Sequence, residues 1–239
     1  MPNKILVNIG NTHTEVSNWD FSMKKNYKTE LFLAESAELF LEPAEVYVST
    51  VVPSFRESLT ATFPNCSFSL LNYEAISGLL DFSKVDASTI GADRLANALA
   101  LQELDLLAGM VIDCGTCITG EIVSKDAEFV GGFIMPGRSL QRRALKLHTG
   151  QLPEVALLDE QVSFPGQNTV SSIQNGIDRA AVAAVQSFVD EARALYGKGL
   201  KVLLNGGDAK FFLENVKGTE TSPKNLTLIG IRAFAKLLV

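Results

Sequence analysis

Histidine and cysteine are scarce, two and three in 239 residues, and that scarcity removes several chemistries. A structural zinc site ordinarily takes four thiolate or imidazole ligands; Cys114 and Cys117 form one C-x-x-C pair, Cys66 stands apart, and no second pair exists to complete a site. Metal or redox chemistry at that pair is therefore the minor reading. Long apolar runs are also missing. Leu106–Ile112 and Leu200–Leu204 are bounded or broken by Asp113 and Lys201, far below the ~20 residues that span a bilayer, so a soluble protein without a membrane partner is expected. Basic residues are in the minority, 21 Lys and Arg against 27 Asp and Glu for a net charge of -6, which argues against nucleic acid as a partner. Basic residues do cluster at Arg138, Arg142, Arg143 and Lys146; at helical spacing they read as a solvated helix face, with a local anion contact the minor reading. The amino terminus passes from Met1-Pro2-Asn3-Lys4 straight into Ile5-Leu6-Val7, with no secretory pattern, and a cytoplasmic location is expected. Neither G-x-x-x-x-G-K-[ST] nor a G-x-G-x-x-G after the first strand occurs, so P-loop and Rossmann nucleotide sites are excluded.

What the chain does have is a hydrophobic fraction of 46% and a pattern that repeats. Lys4–Val7 is strand-like, Gly10-Asn11-Thr12 a tight turn, and His13–Val16 a returning strand. About a hundred residues later Gly109–Ile112, Asp113-Cys114-Gly115-Thr116 and Ile118–Val123 do the same. Each repeat places an Asx residue at the strand end, then a glycine and a hydroxyl residue. Ala92–Leu107 and Ile173–Tyr196 read as helices, Leu200–Leu204 as a buried strand, Gly206-Gly207 as a turn, and Asp208–Val216 as a short helix. Strands with intervening helices imply an α/β fold, divided into residues 1–108 and 109–239.

Glycine turns let backbone N–H groups approach phosphate, and an Asx side chain at a strand end can hold a cation. Two such turns suit a triphosphate gripped from both sides, and Gly206-Gly207 suits a flat adenosine. The ordered set Asn8-Ile-Gly-Asn-Thr12, Gly91-Ala-Asp-Arg94, Asp113-Cys-Gly-Thr116 with Thr119, Gly131-Gly-Phe-Ile-Met-Pro-Gly137 and Gly206-Gly-Asp-Ala209 resembles that of type III pantothenate kinases. Val52-Pro53, Leu152-Pro153, and Thr169 with Gly176 add to it, so the likeness spans nearly the whole chain. The resemblance implies two tandem ribonuclease-H-like domains of the actin/hexokinase type, each a mixed sheet flanked by helices. It also implies ATP-dependent phosphorylation of pantothenate to 4'-phosphopantothenate, the first step of coenzyme A synthesis.

Carried over residue by residue, the resemblance makes Asp93 the base that takes the hydroxyl proton, an ionised carboxylate beside Arg94. Gly91, Ala92, Asp93, Arg94 and Thr169 become contacts to pantothenate. Asn8, Ile9, Gly10, Asn11, Thr12, His13 and Thr14 wrap the phosphates, Thr116 contacts ATP, and Asp113 binds a monovalent cation, K+ or NH4+, alongside Mg2+. Gly131-Gly132 and Pro136-Gly137 shape turns, and a homodimer is implied. The chain departs from the family pattern at Asn8, where aspartate is usual, at Asn205 for threonine, at Ile229 for an acidic residue, and at Lys84, which falls at an often aromatic position. The loss of charge at Asn8 keeps open a weakened nucleotide-binding or regulatory homologue on the same fold, and, less strongly, a phosphohydrolase.

Overall fold

The computed structural model describes residues 3–238, which divide into two units. The first takes in the chain up to Leu107, the stretch Lys125–Gly131 and the chain from Pro223 onward; the second takes in Ala108–Ser124 and Gly132–Ser222. The first change of unit thus falls one residue before the expected boundary, whereas the C-terminal segment, assigned on sequence to the second half, belongs with the first.

The first sheet contains β1 (Asn3–Ile9), β2 (His13–Asn18), β3 (Lys24–Lys28), β4 (Ala44–Thr50) and β5 (Ser67–Leu70) in the order β3-β2-β1-β4-β5. The first three are antiparallel neighbours, while β4 runs parallel to β1 and to β5. The second sheet contains β6 (Gly109–Cys114), β7 (Cys117–Val123), β8 (Phe129–Pro136), β9 (Lys201–Asn205) and β10 (Glu220–Thr221) in the order β10-β9-β6-β7-β8. Counted from the third strand of each, the two orders are the same, and both place an antiparallel hairpin beside parallel crossovers. The repeat seen in two turns therefore extends to whole sheets. Gly131-Gly132, expected in a turn, lie inside β8, with Gly131 at φ 112°.

Among the described residues the α-helices are α1 (Phe32–Glu35), α2 (Phe55–Thr62), α3 (Tyr73–Ile76), α4 (Ala92–Glu103), α5 (Arg138–His148), α6 (Thr169–Tyr196), α7 (Ala209–Asn215) and α8 (Leu226–Lys236). Strand β1, central between antiparallel β2 and parallel β4, is buried on both faces. Ile5, Val7 and Ile9 join Phe32, Phe40, Phe55 and Leu59 in one core. Leu6 and its β4 partner Tyr47 face the other way, where Phe234 of α8 meets Tyr47 edge-on at 6.4 Å. That contact explains the C-terminal segment's place: α8 is apolar on almost every side and finds cover against α4. Gly230 lies so close to Ala96 that a Cβ would overlap its carbonyl oxygen, and the Thr227 hydroxyl donates to Asn97 Oδ1 at 2.8 Å. The second unit has its own core, in which Met110, Ile112, Val202 and Leu204 meet Ala181, Val185 and Val189 of α6 and Phe211 and Phe212 of α7.

Helix ends follow local chemistry. The Asn168 side chain accepts the Ser171 N–H at 2.9 Å and the Ser171 hydroxyl accepts the Asn168 N–H at 3.2 Å, so α6 starts at Thr169, four residues before the apolar periodicity does. It ends at Gly197, φ 98°. Helix α4 stops at Glu103, short of the expected Leu107, because Asp105 turns left-handed at φ 55°.

Candidate functional site

In the first unit the phosphate turn is a closed hairpin. Gly10 N–H donates to His13 O at 3.0 Å, and Asn11, Thr12 and His13 are exposed at the tip. Thr29, which sequence reading passed over, braces it: its N–H donates to Thr12 O at 3.0 Å and its hydroxyl to Gly10 O at 2.7 Å. Thr14 Oγ1 lies 3.1 Å from the Thr29 hydroxyl and is wholly buried. Its side chain therefore holds the hairpin and does not line it; Ile9 is likewise buried and offers only backbone. No local pattern marks Thr29, since its partners lie up to 19 residues away. Asn8 shares the face of β1 with Leu6, the side that α8 covers. Its Oδ1 is buried without a hydrogen-bond partner.

Helix α4 begins in the same neighbourhood. Ile9 O accepts the Val51 N–H at 3.2 Å, and a Val51 methyl sits 3.4 Å from the place a Cβ on Gly91 would occupy. Gly91 caps α4, and a side chain there would come within 2.7 Å of Asp93 Oδ1. That oxygen accepts the Arg94 backbone N–H at 2.8 Å. Burial raises the Asp93 carboxyl above its ordinary range, outweighing the backbone bond from Arg94 and the Arg94 charge, which act to lower it. Sequence reading weighed only the arginine. The structure thus brings Asn8–Thr14 and Gly91–Arg94 together at one end of the first sheet.

In the second unit three turns meet. Gly115 N–H donates to Cys117 O at 2.9 Å, closing the β6–β7 hairpin, and Thr116 O accepts the Gly137 N–H at 2.9 Å. A side chain on Gly137 would overlap the carbonyl oxygens of Gly115 and Thr116. Gly206, at φ 92°, is pressed against the Asp113 carboxylate and the Cys114 backbone, so only glycine fits. Asn205 Nδ2 donates to Asp113 Oδ2 at 3.3 Å and Asn205 Oδ1 accepts from Ser222 at 3.1 Å. Asp113, Thr116, Gly137 and Gly206-Gly207 are thereby gathered, whereas Thr169 lies in a separate open groove of about 570 Å³ with Leu145, Leu152, Ile173, Gly176 and Ile177. Cys66, Cys114 and Cys117 are free thiols; Cys114 is buried, which pushes its pKa far up. Lys84 pairs with Glu128 at 2.9 Å on an exposed surface, and Ile229 is buried in α8.

The sequence profile of type III pantothenate kinases matches residues 4–191. The chain belongs to that family. It is 32% identical over 224 residues to the type III pantothenate kinase of Thermosipho melanesiensis, covering 88% of this chain and 90% of that one. The Kosmotoga olearia type III pantothenate kinase is 30% identical over 252 residues, with coverage of 98% and 95%. Three solved structures share the fold at lower identity. A Campylobacter jejuni protein described as a Baf family transcriptional activator superposes with TM-score 0.66, 19% identity and 97% of both chains. An archaeal actin homologue gives 0.54, 14% and 99% of both. A polyphosphate/ATP-glucomannokinase from an Arthrobacter strain gives 0.51, 14%, and 100% and 99%. The two similar mixed sheets are those of the actin/hexokinase-type fold. The basic run on α5 divides: Arg143 and Lys146 are exposed as expected, whereas Arg138 and Arg142 are 1% and 2% exposed and are no part of a solvated face.

Proposed function

We propose that this protein transfers the γ-phosphate of ATP to the primary hydroxyl of pantothenate, giving 4'-phosphopantothenate. The observation that carries the reading is Asp93, a carboxylate held at the start of α4 with its basicity raised by burial. Oδ1 is engaged by the Arg94 N–H, which leaves Oδ2 to accept the hydroxyl proton as the acceptor oxygen attacks phosphorus. Gly91, Ala92 and Arg94 are the contacts to the acceptor, and Asn11, Thr12 and His13, exposed at the hairpin tip of the first unit, are contacts to phosphate; in the second unit Thr116 is the contact to ATP.

Among the described residues no group of three or more His, Cys, Asp or Glu is arranged to hold a metal. Asn8, whose Oδ1 is buried without a hydrogen-bond partner, would hold Mg2+ through a neutral oxygen. Asp113, at the strand end beside Gly206, would hold a monovalent cation. Bound cations neutralise the charge that phosphoryl transfer develops on the phosphate oxygens. The same reading makes the protein a cytoplasmic homodimer. The open groove that contains Thr169, lined by Leu145, Leu152, Ile173 and Ile177, is an apolar face suited to a second copy, and sedimentation as a monomer at assay concentration would remove that part.

The test is a coupled assay with ATP, Mg2+ and K+, with and without pantothenate, and mass detection of the product. Pantothenate-dependent ADP release with a product heavier by one phosphoryl group is expected. Saturable ATP binding without transfer would instead favour the regulatory homologue.

A further inference from the structure

The basic residue that opens α5 stands where a helix least welcomes one, because the N-terminal dipole repels positive charge. Arg138 is also buried, and a buried cation contributes little stability unless every donor is met. Every donor group is met. Nε donates to Asp208 Oδ2 at 2.7 Å and Nη2 to Asp208 Oδ1 at 2.5 Å, a two-pronged grip. Nη1 donates to Asp178 Oδ1 at 3.1 Å, and both terminal nitrogens reach Leu158 O, at 3.2 and 3.1 Å. The central guanidinium carbon sits over the Phe211 ring, 3.3 Å from its centre. Burial acts to lower its pKa, but the Asp208 and Asp178 carboxylates outweigh that and keep it charged. Arg142, one turn on, binds Asp178 Oδ1 at 2.7 Å.

What this grip holds is the turn after β9. Asp208 follows Gly206-Gly207 directly, and its N–H donates to Cys114 O at 3.0 Å. Gly137, the residue before Arg138, is bonded to Thr116. Gly137 and Arg138 therefore touch both nucleotide turns of the second unit, one through backbone and the other through its side chain. A buried ion pair is weak evidence of added stability, so the use of this one is sought in the geometry that it fixes. We propose that Arg138 is a positioning residue for ATP: through Asp208 it sets the Gly206-Gly207 turn against the β6–β7 hairpin, and thereby the seat of the nucleoside.

This inference rests on the kinase reading, and the experiment separates the two. Arg138→Lys keeps the charge and removes the fork; Asp208→Asn, at a less buried position, serves where the lysine variant fails to fold. In each, KM for ATP and the calorimetric Kd for ATP rise roughly tenfold to a hundredfold, the size of effect a displaced binding group produces. KM for pantothenate stays as in wild type, and discrimination between ATP and GTP weakens. A lowered melting temperature with unchanged KM and Kd for ATP would reduce the arginine to a structural role and overturn the proposal. Failure of the wild type to phosphorylate pantothenate would sink the kinase reading alone, because the calorimetric comparison still decides the role of Arg138.

Discussion

Replacing Asp93 with asparagine separates catalysis from stability. The substitution preserves shape, and Oδ1 still accepts the Arg94 N–H now made at 2.8 Å. It removes the charge and the capacity to take a proton. A positioned general base contributes about 10²–10⁴-fold, so kcat for pantothenate phosphorylation should fall by that much. The stability change has the opposite sign from most substitutions at a helix start. A carboxylate in the first turn ordinarily gains about 0.3–1 kcal/mol from the helix dipole, but burial outweighs this and the backbone bond, raising the Asp93 pKa above 3.8. Between the ordinary carboxylate pKa and the raised one, the folded state binds more protons than the unfolded state. Stability therefore falls as pH rises through that window, and the penalty is complete above the folded pKa.

The asparagine variant carries no such penalty. At neutral pH it should melt at or above the wild-type temperature, and the two should converge below the ordinary carboxylate range. Scanning fluorimetry from about pH 4 to 8 checks this, alongside steady-state kinetics and calorimetric ATP binding, which should be unchanged. In wild type, kcat/KM should fall on the acid side of a pKa that lies above the usual carboxylate range. Activity within threefold of wild type in the variant, or a variant that melts several degrees lower at neutral pH, would refute the assignment; each outcome contradicts a buried, proton-accepting carboxylate.

Asn8→Asp should raise kcat/KM and sharpen its Mg2+ dependence by about ten- to a hundredfold, since one charged ligand contributes about 1–3 kcal/mol. Because Glu15 is the cross-strand partner of residue 8, the same variant should melt lower without Mg-ATP and recover with it; a Mg2+ titration followed by fluorimetry reads both. Gly230→Ala forces a methyl onto the Ala96 backbone, where no flexible side chain can give way. It should cost about 1–3 kcal/mol and lower the melting temperature by roughly 2–4 °C per kcal/mol, seen calorimetrically, with KM unchanged in the folded fraction.

The parts of the fold that were legible in the sequence are those specified within a dozen residues. The hairpins at Gly10 and Gly115, and strand β9 before Gly206, announce themselves because a buried strand must be apolar and a tight turn must carry glycine. The place of α8 was not legible. Its cover comes from α4, and the bond between Thr227 and Asn97 joins residues 130 apart, a separation no periodicity window contains.

The site divides along the same physical line. Gly91 and Asp93 were readable because a short acidic motif opens a helix, and Gly137 and Gly206 only as members of glycine-bearing turns, since the atoms that crowd them belong to Gly115 and Thr116 and to Asp113 and Cys114, far away in sequence. Thr14 and Thr29 were not, since alternation along β2 does not say which hydroxyl waits opposite. The α5 arginines show the limit most sharply. Spacing identifies which residues share a helix face but is silent about what that face meets, and water was the default partner. Two carboxylates, 40 and 70 residues beyond Arg138, meet Arg138 and Arg142 instead, while Arg143 and Lys146 keep to water. A run of like charges is therefore a statement about a helix face, and only the residues brought against that face decide whether it dissolves the helix or pins a binding turn.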